Sequence, residues 1–87
     1  MAEKILIADD ESDIVSMLDS YFTRRGYLVL KAYSGAEAVR LSERGPDVIL
    51  LDVSMPDMDG LEVCRRIRSY VSCPIIFLTA RVDDSDK

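Results

Sequence analysis

The chain has 87 residues, a formal net charge of −5 and 48% hydrophobic residues. This length suits one domain, to which we assign residues 1–87. The hydrophobic fraction argues against intrinsic disorder, and the negative net charge argues against sequence-independent binding to nucleic acid. No apolar stretch reaches membrane-spanning length, and the N-terminal apolar run is too short for a signal peptide, so we expect a cytoplasmic protein.

The cysteine content argues against a zinc site. Cys64 and Cys73 do not form a CxxC pair, and the sequence has no histidine. We therefore expect two reduced, buried thiols.

Three short apolar runs predict strands that are buried on both faces, because they are rich in branched residues and do not alternate. These runs are residues 5–8, 48–51 and 75–78. A fourth β-prone stretch, residues 27–33, is interrupted by Lys31 and is expected nearer an edge of the sheet.

Helical patterns separate the strands. The first is an apolar stripe at i, i+4 spacing, formed by Ile14, Leu18 and Phe22, and Gly26 ends it. The second follows a capping box, Ser34-x-x-Glu37, places Ala38 and Leu41 on its apolar side, and ends at Gly45–Pro46.

A third helix should begin at Asp59, which can cap it while Glu62 reaches back. It should bury Leu61, Cys64 and Ile67 before Pro74 opens the last strand. The resulting order, βαβαβαβ, predicts an α/β fold with a doubly wound parallel sheet and right-handed crossovers.

Polar residues follow three of the four predicted strands. Asp9 and Asp10 come after the first, Asp52 after the third and Thr79 after the fourth. In doubly wound sheets the functional crevice lies beyond the carboxyl ends of the strands, so we expect Asp9, Asp10 and Asp52 to share one pocket if the first and third strands are neighbours.

Three clustered carboxylates repel one another and favour a hard cation, for which Mg²⁺ is the natural candidate. A carboxylate is also a competent nucleophile toward phosphoryl groups, and the Thr79 hydroxyl can donate to a phosphoryl oxygen. Taken singly, each residue has an ordinary structural explanation. Asp10 or Ser12 can cap the first helix, and an aspartate at a strand end is common turn chemistry. The combination is what points to a site.

These residues resemble the motifs of response regulator receiver domains across nearly the whole chain. The matching segments are Asp9–Asp10, residues 52–56 (DVSMP), Asp59–Gly60 and residues 78–80 (LTA). The resemblance implies a flavodoxin-like receiver fold with strand order 2-1-3-4 and with the fifth strand missing.

The same resemblance implies the roles of the site residues. Asp52 accepts a phosphoryl group from a histidine kinase, or from a small phosphodonor, and the receiver then regulates an output domain, such as a transcription factor. Mg²⁺ is held by Asp10, Asp52 and the Ser54 backbone carbonyl, with Asp9 close by or bound through water, and Thr79 is the switch hydroxyl. Pro56 and Gly60 resemble the loop residues that shape the pocket.

The sequence departs from the family pattern at its C-terminus. Family members continue through a fourth helix, a fifth strand carrying a pocket lysine and a fifth helix, and Lys87 follows Thr79 too closely to be that lysine. The fourth strand would then be an edge carrying the apolar run 75–78, so we expect this chain to form a homodimer, or a higher assembly, through that strand.

Three other readings stay open or fail at identifiable residues. A phosphatase with an aspartate nucleophile needs a second acid two residues away, whereas Asp9 and Asp10 are adjacent. A calcium-binding loop with Gly60 at its sixth position would place Met55 at its first position and Arg66 at its twelfth, and neither residue fits. A fragment that binds Mg²⁺ or a kinase without completing a switch stays an alternative. If the chain is a receiver, we expect no turnover of an external substrate.

Overall fold

The computed structural model describes residues 3–69 and 71–78. In these ranges the chain alternates strands with helices in the predicted order. The elements are β1 (Lys4–Ala8), α1 (Ser12–Arg24), β2 (Leu28–Ala32), α2 (Gly35–Leu41), a 3₁₀ turn (Ser42–Arg44), β3 (Val48–Asp52), α3 (Gly60–Ile67) and β4 (Ile75–Leu78).

The four strands form one parallel sheet in the order β2-β1-β3-β4. This confirms the α/β doubly wound fold and the order 2-1-3-4. Ala8 of β1 lies opposite Leu51 of β3, so the carboxyl ends of the two central strands are level. The residues that follow these two strands therefore meet at one edge of the sheet.

The central strands bury both faces, which explains their unbroken apolar runs. In β1, Ile5 and Ile7 point into a cluster with Val15 of α1, while Leu6 and Ala8 point into a second cluster on the other face. The second cluster also contains residues of α2 and α3, among them Ala38, Val63 and Ile67. Thus α1 covers one face of the sheet, and α2 and α3 cover the other.

The outer strands are less buried than the central ones. In β2, exposed Lys31 forms an ion pair with Asp19 of α1 at 3.1 Å, in keeping with the expected edge position. The prediction that residues 75–78 are buried on both faces is wrong, because Ile76 is 51% exposed and its neighbours are only partly buried. Among the described strands β4 pairs with β3 alone, so one edge of β4 has no neighbour in residues 3–69 and 71–78.

Helix α1 begins at Ser12 without a side-chain cap, and Glu11 occupies the cap position. Capping by Asp10 or Ser12, the structural alternative for those residues, is therefore not observed. The stripe of Ile14, Leu18 and Phe22 is partly buried, and Val15 is the residue of α1 that is fully buried.

Helix α2 begins at the predicted capping box, but only the bond to the Ser34 side chain is the one that the box predicts, because Glu37 bonds the amide before Ser34. The Ser34 hydroxyl accepts a hydrogen bond from the Glu37 amide at 3.2 Å, while the Glu37 carboxylate accepts from the Tyr33 amide at 2.8 Å. Gly45, at φ 74°, ends the 3₁₀ turn that follows, and Gly26, at φ 94°, similarly follows α1. Both glycines occupy the left-handed region that other residues adopt at a cost.

Helix α3 is capped by Asp59, whose carboxylate accepts from the Glu62 amide at 2.9 Å. Two details of the prediction are wrong. The Glu62 carboxylate does not reach back but pairs with Arg65 and Arg66, one turn ahead. Leu61 is 57% exposed, because the face of α3 turned to the sheet carries Gly60, Val63 and Ile67.

Both cysteines are free thiols, but they are half-buried rather than buried. Burial raises the pKa of the Cys73 thiol. Cys73 lines a cavity of about 330 Å³ beside Pro46 and Asp47, at the amino ends of the strands and away from the predicted site.

Candidate functional site: a carboxylate cluster at the strand ends

Three aspartates meet at the carboxyl ends of β1 and β3. One carboxylate oxygen from each of Asp9, Asp10 and Asp52 lies within 4.8 Å of the others. Asp9 and Asp10 follow β1 directly, and Asp52 is the last residue of β3, so the register of the two strands brings them together. The convergence expected from the sequence is confirmed, whereas the roles of these residues stay predictions.

The cluster is buried on one side and open on the other. Asp9 is 2% exposed and Asp52 is 5% exposed, whereas Asp10 is an exposed residue. Two of the three carboxylates have thus lost most of their contact with bulk water. A small ion or a phosphoryl group can approach from the side of Asp10.

The electrostatics of the cluster are unfavourable when all three carboxylates are ionised. Burial raises the pKa of Asp9, and the negative charges of Asp52 and Asp10 raise it further. The backbone N–H of Glu11, which donates to Asp9 Oδ1 at 2.9 Å, opposes that rise. Among residues 3–69 and 71–78 no lysine or arginine forms an ion pair with the cluster.

A divalent cation with a preference for oxygen ligands would relieve this repulsion. Mg²⁺ fits the donor set, because the cluster offers carboxylate oxygens, is partly open to the water that Mg²⁺ usually retains, and lacks nitrogen or sulfur ligands among the described residues. The same arrangement keeps a carboxylate available as a nucleophile beside a centre that attracts phosphoryl oxygens.

The loop between β3 and α3, residues 53–59, continues directly from Asp52. Ser54 is exposed, and its amide donates to Asp52 Oδ1 at 3.3 Å. Met55 is 7% exposed and packs into the core, while Pro56 is exposed. The loop is therefore anchored inside the protein on one side of Pro56, and its Ser54 end borders the carboxylate cluster.

Gly60 closes this loop through a close approach of backbones. A Cβ at this position would lie 2.5 Å from the Asp52 carbonyl oxygen and 2.9 Å from Val53 Cα. The Gly60 amide also donates to the Val53 carbonyl at 2.8 Å. Gly60 therefore lets the start of α3 lie against the end of β3, because it has no Cβ, while its role in shaping the pocket stays a prediction.

The sequence did not indicate what Asp57 does. Its two carboxylate oxygens accept hydrogen bonds from the backbone amides of Gly35 and Ala36, at 2.9 and 3.0 Å. These amides belong to the first turn of α2, and they lower the pKa of Asp57. The contact joins residues more than 20 positions apart, so no local pattern could have revealed it.

Two further expectations fall on residues that the structure does not describe. Thr79, the predicted switch hydroxyl, follows β4 directly but lies outside the described residues, and so does Lys87. In the described part of the chain, no helix has the length and apolar character needed to cross a membrane.

The chain is similar to a known family over nearly its whole length. The model of the response regulator receiver domain matches residues 5–87. The chain belongs to the response regulator receiver family. Such domains act in two-component systems. This chain therefore combines the family match with a doubly wound sheet that carries aspartates at the ends of its central strands.

Solved receiver structures are similar to this one. The chemotaxis protein CheY4 of Vibrio cholerae shares 33% identity over 95% of this chain and 72% of its own, with a TM-score of 0.86. The receiver domain of the hybrid histidine kinase CckA shares 33% over 85% and 72%, with a TM-score of 0.81.

A chain in the CheX–CheY–BeF3–Mg²⁺ complex of Borrelia burgdorferi shares 30% identity over 86% of this chain and 60% of its own, with a TM-score of 0.78. The receiver chain therefore spans between 60% and 72% of the length of these three structures.

Proposed function

We propose that this receiver accepts a phosphoryl group on Asp52 from a histidine kinase and thereby regulates an output domain, such as a transcription factor. The observation that carries the proposal is the carboxylate cluster. Asp52 is nearly buried beside two other aspartates, at the sheet edge where this fold places its ligands. Small phosphodonors would serve the same site.

The chemical step requires one nucleophile and one leaving group. A carboxylate oxygen of Asp52 attacks the phosphorus of a phosphohistidine, the phosphorus–nitrogen bond breaks, and its electron pair returns to the imidazole nitrogen. The product is an acyl phosphate on Asp52. The Ser54 amide at Asp52 Oδ1 holds the carboxylate in one orientation before attack.

Asp10, Asp52 and the Ser54 carbonyl are the proposed ligands of Mg²⁺, with Asp9 close by or acting through water. When bound, the ion neutralises the carboxylates and attracts the phosphoryl oxygens. Thr79 is proposed to donate its hydroxyl to the phosphoryl group. One relative belongs to a complex that contains Mg²⁺, and another is the receiver of a hybrid histidine kinase, which supports the choice of ion and of phosphodonor.

The proposal expects stoichiometric modification without turnover. The chain would be incubated with a small phosphodonor and Mg²⁺, and intact mass and released phosphate would be followed together. One phosphoryl group per chain with little free phosphate supports the proposal. Continuous phosphate release would favour an aspartate-nucleophile phosphatase, and Mg²⁺ binding without modification would favour a fragment that does not switch.

We also propose that the 87-residue chain self-associates through β4. Two features of β4 favour a second copy of this chain as the partner. Ile76 is half-exposed, and one edge of β4 has no neighbour among the described strands. A cytoplasmic location stays a prediction from the short apolar stretches of the sequence, and the absence of direct nucleic-acid binding stays a prediction from its acidic composition.

A further inference from the structure

The loop of residues 53–59 is joined to α2 as well as to the carboxylate cluster. Asp57 bridges the amides of Gly35 and Ala36, with one oxygen to each. Both bonds are charge-assisted when the Asp57 carboxylate is ionised, and they lower the pKa of that carboxyl group. The bridge therefore ties the 53–59 loop to the start of α2 through an ionisable side chain.

A second close contact joins the 53–59 loop to the first turn of α2. A Cβ on Gly35 would lie 2.6 Å from Met58 Cβ and 2.9 Å from the Met58 carbonyl oxygen. Met58 in turn packs against the core cluster that contains Val63. The loop backbone thus approaches the start of α2 as closely as the missing Cβ of Gly35 allows.

The amide of Glu37, the third residue of α2, is capped without Asp57. Ser34 accepts from the Glu37 amide, and this bond is local. Asp57 instead connects two segments that are distant in the sequence. Its bonds restrain the loop at a point three residues after Ser54, whose carbonyl is a proposed Mg²⁺ ligand and whose amide donates to Asp52.

We infer that Asp57 is a positioning residue for the phosphorylation site: by fixing the 53–59 loop to α2, it holds the Ser54 carbonyl where a cation can use it. The inference rests on the proposed function, because it concerns how the proposed Mg²⁺ site is assembled. Outer partners that orient a metal ligand commonly affect affinity by tenfold or more.

The test compares Asp57→Ala with Ser34→Ala by Mg²⁺ titration, followed by the amide NMR shifts of Ser54 and Gly60. Asp57→Ala removes two bonds to the first turn of α2 and Ser34→Ala removes one, but only Asp57→Ala releases the loop. We expect the Kd for Mg²⁺ to rise about tenfold in Asp57→Ala and to stay at the parent value in Ser34→Ala. Asp57→Asn, which keeps one acceptor oxygen, should be intermediate and guards against a variant that fails to fold.

A second readout needs no metal. Hydrogen exchange of the Gly60 amide, which bonds the Val53 carbonyl, should quicken in Asp57→Ala and not in Ser34→Ala. Parent-like affinity and exchange in folded Asp57→Ala or Asp57→Asn would overturn the inference. Failure of the proposed function looks different, because the parent itself would then show no Mg²⁺-dependent shifts.

Discussion

Gly60 and Asp52 approach so closely that a methyl group on Gly60 would lie 2.5 Å from the Asp52 carbonyl oxygen. The atom in the way belongs to the backbone of β3 and cannot rotate aside. The first turn of α3 is therefore in direct contact with the strand that carries the proposed phosphoacceptor.

The substitution Gly60→Ala should destabilise the receiver by about 1–3 kcal/mol, the usual cost of overpacking. The helix propensity of alanine exceeds that of glycine by up to about 1 kcal/mol, but the backbone contact should outweigh that gain. Urea denaturation measures the difference, and Leu61→Ala is a suitable control because Leu61 is 57% exposed. A Gly60→Ala midpoint at or above that of the parent would show that the close approach does not limit this position.

The metal site can be tested at its exposed carboxylate. Asp10→Ala should weaken Mg²⁺ binding by at least about tenfold, equivalent to ~1.4 kcal/mol, because the cluster loses one ligand and one negative charge. Asp13→Ala, which removes an exposed acid in the first turn of α1, should leave the affinity unchanged. Equal affinity in the parent, in Asp10→Ala and in Asp52→Asn would remove the metal-site hypothesis.

The buried carboxylate of Asp9 should destabilise the metal-free receiver. Asp9→Asn removes one of three neighbouring charges while its side-chain oxygen can still accept from the Glu11 amide. We expect the melting temperature in a chelator to rise by roughly 4 °C, a shift that corresponds to about 1 kcal/mol in a domain of this size. Excess Mg²⁺ should stabilise the parent more than the variant. A lower melting temperature for Asp9→Asn in the chelator would argue against uncompensated repulsion.

Self-association through β4 can be followed by sedimentation at micromolar concentration. The 87-residue chain should sediment as a dimer or larger species, and Ile76→Lys should shift it toward monomer because it places a charge at the exposed position of β4. A compact, thermally stable monomer with protected β4 amides would show that the edge is covered within one chain.

The central strands and their end residues were predictable because both faces of β1 and β3 are buried. Burial on two faces leaves an unbroken apolar run, and the first polar residue after the run marks the carboxyl end of the strand. Asp9 and Asp52 were found in this way. Their mutual distance depended only on which strands are neighbours, which the family resemblance implied.

Features that arise from contacts between distant segments were not predictable. The Asp57 bridge depends on where α2 lies relative to the 53–59 loop. The face of α3 was misjudged at Leu61 because Gly60 occupies the core-facing position and has no side chain to extend the apolar pattern. The exposure of β4 is not visible in the sequence, because a continuous apolar run does not show how much of each face of the strand is covered.

The most direct test of the account is to locate the phosphoryl group after treatment with a small phosphodonor and Mg²⁺. Peptide mapping should place a single phosphoryl group on Asp52, and Asp52→Asn should abolish labelling. Asp59→Asn, which keeps a side-chain oxygen for the cap of α3, should label like the parent. Phosphate on Asp9 or Asp57, or undiminished labelling of Asp52→Asn, would contradict the account.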